Sequence, residues 1–182
     1  MNLAAIPEHH VQYLRAHPGA AYGYLHGCRP RVGWLGRLLG ASKGVPRDWP
    51  SIAAREVAID ENLCTDAVSF HYLLNGTHDP VDAPSDVFQG WITGRASHAH
   101  RLGGLRTYAF LHDRPQVAAF NDCLAALDET VLVSRWQDNV RRRDDDPDPL
   151  ELDEVRRQLK TLREVYSQAG RENQCVLCAP QR

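Results

Sequence analysis

Cys175 and Cys178 stand three residues apart, the spacing of a zinc knuckle or a redox pair. A knuckle needs a tight turn, usually with glycine, so that both sulfurs point one way. Here Val176 and Leu177 lie between them, and the apolar run Cys175–Ala179, ended by Pro180, reads as a strand. Residues three apart on a strand face opposite sides, so the two sulfurs diverge. No second pair of this spacing exists to complete a tetrahedral site. Core cysteines are therefore expected, with no structural metal.

His98 and His100 alternate in a way that puts both imidazoles on one face if the segment is extended, and His71 or His112 would have to supply a third metal ligand. Their surroundings, Arg95-Ala96-Ser97 and Arg101-Leu102-Gly103-Gly104, read as a loop with exposed histidines. The run Asp144–Asp146 lacks the alternating spacing and glycine of a calcium loop and reads as a solvated hinge. Gly40-Ala41-Ser42-Lys43-Gly44 matches a nucleophile elbow in letters only, because that elbow needs a strand before the serine and a helix after it. Pro46 discourages the helix, and Gly36 and Arg37 interrupt the strand. Neither a phosphate loop nor a dinucleotide fingerprint occurs. The stretch Arg29–Trp49 carries Arg29, Arg31, Arg37, Lys43 and Arg47 against Asp48 alone. Arginine forks beside Trp34 and Trp49 suit phosphate or an acidic protein surface. The competing reading is a solvated loop pinned by its two tryptophans.

The elements that must position these residues follow from periodicity. Leu152, Val155, Leu159, Leu162, Tyr166 and Ala169 alternate steps of three and four, one stripe of a long helix. Asp148-Pro149-Leu150-Glu151 reads as its capping box and Gly170 as its left-handed stop. A helix starting at Pro115, capped by Asp113, carries Val117, Phe120, Leu124 and Leu127; another spans about Asp128 to Val140, and Arg141–Arg143 begins a linker. Asp60 or Asn62 opens a helix bearing Leu63, Ala67, Phe70 and Leu74 that Gly76 stops. Short helices are expected at Pro7–Ala16 and around Tyr22–Leu25, and a strand at Leu105–Leu111. Met1–Ile6 gives little sign of a strand.

At 182 residues the chain suits one domain over 1–182, large enough to bury about 70% of its extended surface. A net charge of −2 removes any bulk attraction to nucleic acid or anionic membrane. No apolar stretch reaches membrane-spanning length, and Met1–His10 lacks the pattern of a secretory signal. Five cysteines give no disulfide framework, so reduced thiols and a cytoplasmic location are the simplest expectation.

The motif Phe70-His71-Tyr72-Leu73-Leu74-Asn75-Gly76 resembles the DUF1877 family of YfbM-like bacterial proteins, in which a helix ends in a similar His-aromatic-Leu-Leu-Thr-Gly run. The resemblance continues through Asp86–Gly94, the strand and helix at Leu105 and Pro115, and the final helix leading into the Cys175 strand. It covers roughly Asp60 to Ala179. Where the family shows Leu-Asp-Lys-Ala-Trp, this chain has Leu63-Cys64-Thr65-Asp66-Ala67, without the tryptophan. The resemblance implies an α+β domain with no established enzyme activity and, for some members, a role as immunity proteins encoded beside interbacterial toxins.

The combined expectation is an α+β fold: a predominantly helical single domain with a small sheet and a long C-terminal helix followed by a terminal strand. Its expected function is non-catalytic binding, as an immunity protein neutralising a toxin encoded by an adjacent gene. No cofactor is expected. Partner contacts are assigned to Trp34, Arg37, Trp49, Trp91, Arg95, His98, His100 and Arg101, on irregular segments where rigid aromatics and charge can enter a cleft. The alternative is a small hydrolase or transferase using His71 with neighbouring acids; it lacks any order of nucleophile, base and orienting group.

Overall fold

The computed structural model describes residues 2–28, 45–49, 55–56, 72–77, 100–103, 108–143 and 148–179. Among these described residues, five strands form one antiparallel sheet in the order β2-β1-β5-β4-β3. They are β1 (Asn2–Ile6), β2 (Arg55–Glu56), β3 (His100–Gly103), β4 (Tyr108–His112) and β5 (Cys175–Ala179). The last strand in sequence is the central one. It pairs with β1 from Asn2↔Ala179 to Ile6↔Cys175 and with β4 from Phe110↔Cys178 to His112↔Val176. A strand covered on both faces reads as an unbroken apolar run, which accounts for Cys-Val-Leu-Cys-Ala.

Alternation along the strands divides the interior in two. Leu3, Phe110, Val176 and Cys178 face a cluster with α3 (Arg114–Ala126), α4 (Glu129–Arg143) and α5 (Pro149–Arg171). Ala4, Ile6, Ala109, Leu111, Cys175 and Leu177 face a second cluster with α1 (Glu8–Ala16), α2 (Ala21–Leu25) and Trp49. The architecture is α+β, mainly helical, with the long C-terminal helix leading into the terminal strand as expected.

The helix ends show where local signals held and where tertiary partners overrode them. Asp113 caps α3 in a complete box: Gln116 N–H donates to Asp113 Oδ1 at 3.1 Å, and Asp113 N–H donates to Gln116 Oε1 at 2.8 Å. At α5, Asp148 accepts from the Leu150 N–H at 2.9 Å, but Glu151 does not close the expected box. Its carboxylate is buried and accepts from Arg143 Nη2 at 3.1 Å and the Trp136 indole N–H at 3.3 Å. That pairing draws α4 on to Arg143, so Arg141–Arg143 end a helix rather than begin a linker. Gly170 is not the stop of α5 either. The helix runs on to Arg171 and the left-handed residue is Asn173, at φ 53°. A Cβ at 170 would lie 2.8 Å from Asn121 Nδ2, which donates to the Tyr166 carbonyl, so a larger residue there would displace that amide.

Gly76 does stop a helix: residues 72–75 are helical and Gly76 follows at φ +75°. Arg135 caps that end, donating to the Leu73 and Leu74 carbonyls at 2.9 and 2.6 Å. Two segments differ from expectation. Met1–Ile6, featureless in sequence, contains the inner strand β1, and the loop expected around His100 contributes β3. The expected helical residues Leu63, Ala67 and Phe70, the Gly40–Gly44 segment and Asp144–Asp146 lie outside the described residues. Among the described residues, no helix is long and apolar enough to cross a membrane.

Candidate functional site

Among the described residues, two histidines and an aspartate meet at the start of α1. Pro7 caps this helix in an extended conformation (φ −72°, ψ 157°), a geometry its ring favours, and its carbonyl accepts from the His10 and Val11 N–H groups. Adjacent helical residues point about 100° apart, so His10 turns into the aromatic cluster while His9 stays at the surface. Their rings still meet edge to face, with centroids 4.3 Å apart.

Asp48 reaches this point from a separate turn. Trp49 N–H donates to the Pro46 carbonyl, and the Trp49 side chain is 3% exposed. Its ring stands nearly perpendicular to Tyr24 at 4.5 Å and to Tyr13 at 5.3 Å. The indole N–H donates to the Cys28 carbonyl at 3.2 Å. Burial of that one side chain thus fixes its neighbour Asp48 over α1. Asp48 Oδ1 lies 2.9 Å from His10 Nε2, and both carboxylate oxygens lie 3.3 Å from His9 Nε2.

Behind His10, its Nδ1 is hydrogen-bonded to the Tyr24 hydroxyl. Burial, reinforced by the Asp48 charge, holds the Tyr24 phenol well above its ordinary range, so it keeps its proton. The ionised Asp48 carboxylate only accepts, so His10 Nε2–H donates to it, and in the neutral imidazole Nδ1 then accepts from the Tyr24 hydroxyl. The His10–Asp48 hydrogen bond is the largest cause lowering the Asp48 carboxyl to about 2. The relay Tyr24–His10–Asp48 is fully engaged internally. The Tyr24 hydroxyl is buried and held protonated, so the relay presents no nucleophile to solvent. What faces solvent is the half-exposed Asp48 carboxylate beside the His9 ring.

A second candidate, the groove of about 540 Å³ between α3 and α5, is lined by Asn121, Arg163, Ser167 and Arg171 among others. Arg163 there donates to the Leu124 and Leu127 carbonyls, capping the end of α3. Asn121 holds the Tyr166 carbonyl. Two of its polar groups, Arg163 and Asn121, are thus committed to backbone carbonyls of α3 and α5.

Of the residues assigned to partner contacts, Trp49 is corrected: it is a buried pin, out of reach of a partner. His100 and Arg101 stand in β3, opposite Leu111 and Phe110. Trp34, Arg37, Trp91, Arg95 and His98 lie outside the described residues, as does His71. Cys175 and Cys178 fall in different clusters on opposite faces of the sheet, as strand geometry requires. His112 is buried, with Nδ1 2.8 Å from the Tyr166 hydroxyl, far from the metal role weighed for it. Sequence reasoning missed the His9-His10-Asp48 grouping. Its signal was an adjacent histidine pair and a lone acid within a basic stretch, separated by 38 residues. No family model, curated protein or solved structure matches the chain.

Proposed function

We propose that the chain is a non-catalytic binding protein, and specifically an immunity protein that neutralises a toxin from a neighbouring gene through an acidic surface on that toxin. The observation that supports this reading most is the clip between the Trp49 indole and the Cys28 carbonyl. It ties together the two ends of a stretch that carries Arg29, Arg31, Arg37, Lys43 and Trp34, with no acid from Arg29 to Gly44. Fixing the ends of a contact segment beforehand lowers the ordering entropy of binding. Cationic side chains beside an aromatic anchor are the residue types that dominate binding energy at interfaces. The resemblance to the DUF1877 family points the same way, and the relay at His10 presents no nucleophile to solvent for the competing enzyme reading.

Co-expression with the adjacent gene product, followed by pull-down and growth rescue, tests the proposal. A stoichiometric complex is expected, lost with the double reversal Arg31→Glu and Arg37→Glu and weakened by raised salt. Absence of both complex and protection would remove the immunity reading. Substrate turnover by the isolated chain would replace it with a hydrolase or transferase, for which His71→Ala is the first variant to assay.

A further inference from the structure

We propose that His9, His10 and Asp48 bind a single first-row divalent metal ion, with zinc the closest fit, through His9 Nε2, His10 Nε2 and an Asp48 carboxylate oxygen. This goes beyond the protein-binding reading, rests on different residues, and departs from the expectation of no metal drawn from the cysteine spacing.

Three observations carry it. The first is spacing. A tetrahedral ion with bonds of about 2.1 Å holds its ligand atoms about 3.4 Å apart. Here the separations are 2.9 Å from His10 to Asp48 and 3.3 Å from His9 to Asp48, and all three donor atoms lie within 4.8 Å of one another. The second is access. His10 is fully buried, whereas the His9 and Asp48 side chains are 58% and 50% exposed. An ion can enter from solvent, take three protein ligands and keep a fourth position for water. Two imidazoles and one carboxylate with an open position form a donor set that suits zinc and related first-row ions over calcium or magnesium.

The third observation is the group behind the ligand. A metal on His10 Nε2 needs that lone pair free, so the ring proton must sit on Nδ1. Tyr24 can follow this change because a hydroxyl both donates and accepts. With Nε2 protonated, Tyr24 donates to Nδ1; with Nε2 on the metal, Nδ1–H donates to the Tyr24 oxygen. A hydrogen-bonded partner on the far nitrogen is the usual support of a metal-binding histidine. Here it is already in contact. The Trp49 pin fixes the carboxylate from the opposite side, so both halves of the site rest on packed elements.

The test uses the full chain, stripped with chelator and titrated with Zn²⁺ by calorimetry. One equivalent should bind, and X-ray absorption should show a nitrogen and oxygen shell at about 2.0–2.1 Å with no sulfur. His9→Ala and Asp48→Asn alter surface groups, and unchanged metal-free melting will confirm that each variant folds. Each should weaken binding at least about tenfold, and Tyr24→Phe, acting through His10, about tenfold or more with the same absorption shell. Three results would overturn the proposal: no stoichiometric zinc, an affinity unchanged in both surface variants, or sulfur in the shell, which would move the ion to a cysteine.

Discussion

On one face of the sheet, three helices and a buried apolar cluster enclose His112, whose Nδ1 meets the Tyr166 hydroxyl and whose ring stacks on Phe120 at 5.0 Å. On the other face, two shorter helices and Trp49 enclose His10, whose Nδ1 meets the Tyr24 hydroxyl. The two histidines thus share a motif: a buried imidazole held at Nδ1 by a buried tyrosine. They differ at Nε2. In His112 that atom has no partner among the described residues. In His10 it faces a half-exposed carboxylate beside a second imidazole. The same pair of residue types is thus a sealed core element on one face and the inner end of a solvent-facing polar cluster on the other. Access to a charge, rather than the histidine itself, separates structure from chemistry here.

The two faces should differ in acid sensitivity, and this is the largest effect. Burial lowers the His112 imidazole to about 3, against 6.5 for the free side chain. The unfolded chain therefore binds more protons than the folded one between those values, and stability falls as pH drops through this window. The slope approaches about 1.4 kcal/mol per pH unit, which accumulates to a loss of about 5 kcal/mol across the window. Asp48 is also lowered, from 3.8 to about 2, so whatever stability it contributes is present above pH 4 and lost only below it. Urea melts from pH 7 to 3.5 should thus show a limb that His112→Leu flattens and Asp48→Asn leaves intact. His112→Leu will itself lower stability at neutral pH by about 1–3 kcal/mol, because the Tyr166 hydroxyl loses its partner. A limb unchanged in His112→Leu would break the contrast between the two faces.

Next in size is Trp49→Ala. Among the described residues of the α1–α2 face, three aromatic rings meet this one: Tyr24, Tyr13 and His10, within 6.3 Å. Truncating a buried tryptophan typically costs about 3–5 kcal/mol. It also frees the Asp48 turn, so zinc affinity at His9, His10 and Asp48 should fall in the same variant. A loss below about 1 kcal/mol in denaturant melts would show that the turn is held by something other than Trp49.

What the sequence revealed follows the same division. The stripe of α5, the Asp113 cap and the opposite facing of Cys175 and Cys178 depend on neighbours within a few positions, so periodicity and spacing suffice. The expected Glu151 box failed because the buried Glu151 carboxylate pairs with part-buried Arg143, which competes more strongly than a backbone N–H at the helix start. β1 escaped notice because Leu-Ala-Ala-Ile is short and lacks the alternation of a half-buried strand; its position beside the central strand covers both faces. The His9-His10-Asp48 grouping needed contact across nearly forty positions, which no local pattern encodes.

The smallest expected effect sharpens the comparison at one strand. Cys175 belongs to the α1–α2 face and Cys178 to the α3–α5 face, three residues apart on β5. Burial raises both thiols, Cys178 to about 12, so neither supplies thiolate near pH 8 while the fold is closed. Labelling must therefore proceed through opening, whereas exposed Cys28 reacts directly and half-buried Cys123 follows. If the two faces open separately, and the α1–α2 layer, whose helices are the shorter ones among the described residues, opens at lower free energy, Cys175 is modified before Cys178. Site-resolved mass spectrometry after timed alkylation should show that order, with the gap closing in mild denaturant as global unfolding takes over. Equal rates for the two cysteines in water would mean that both layers open as one unit, and the division of the molecule into a stabilising face and a ligand-facing one would then hold for its chemistry but not for its dynamics.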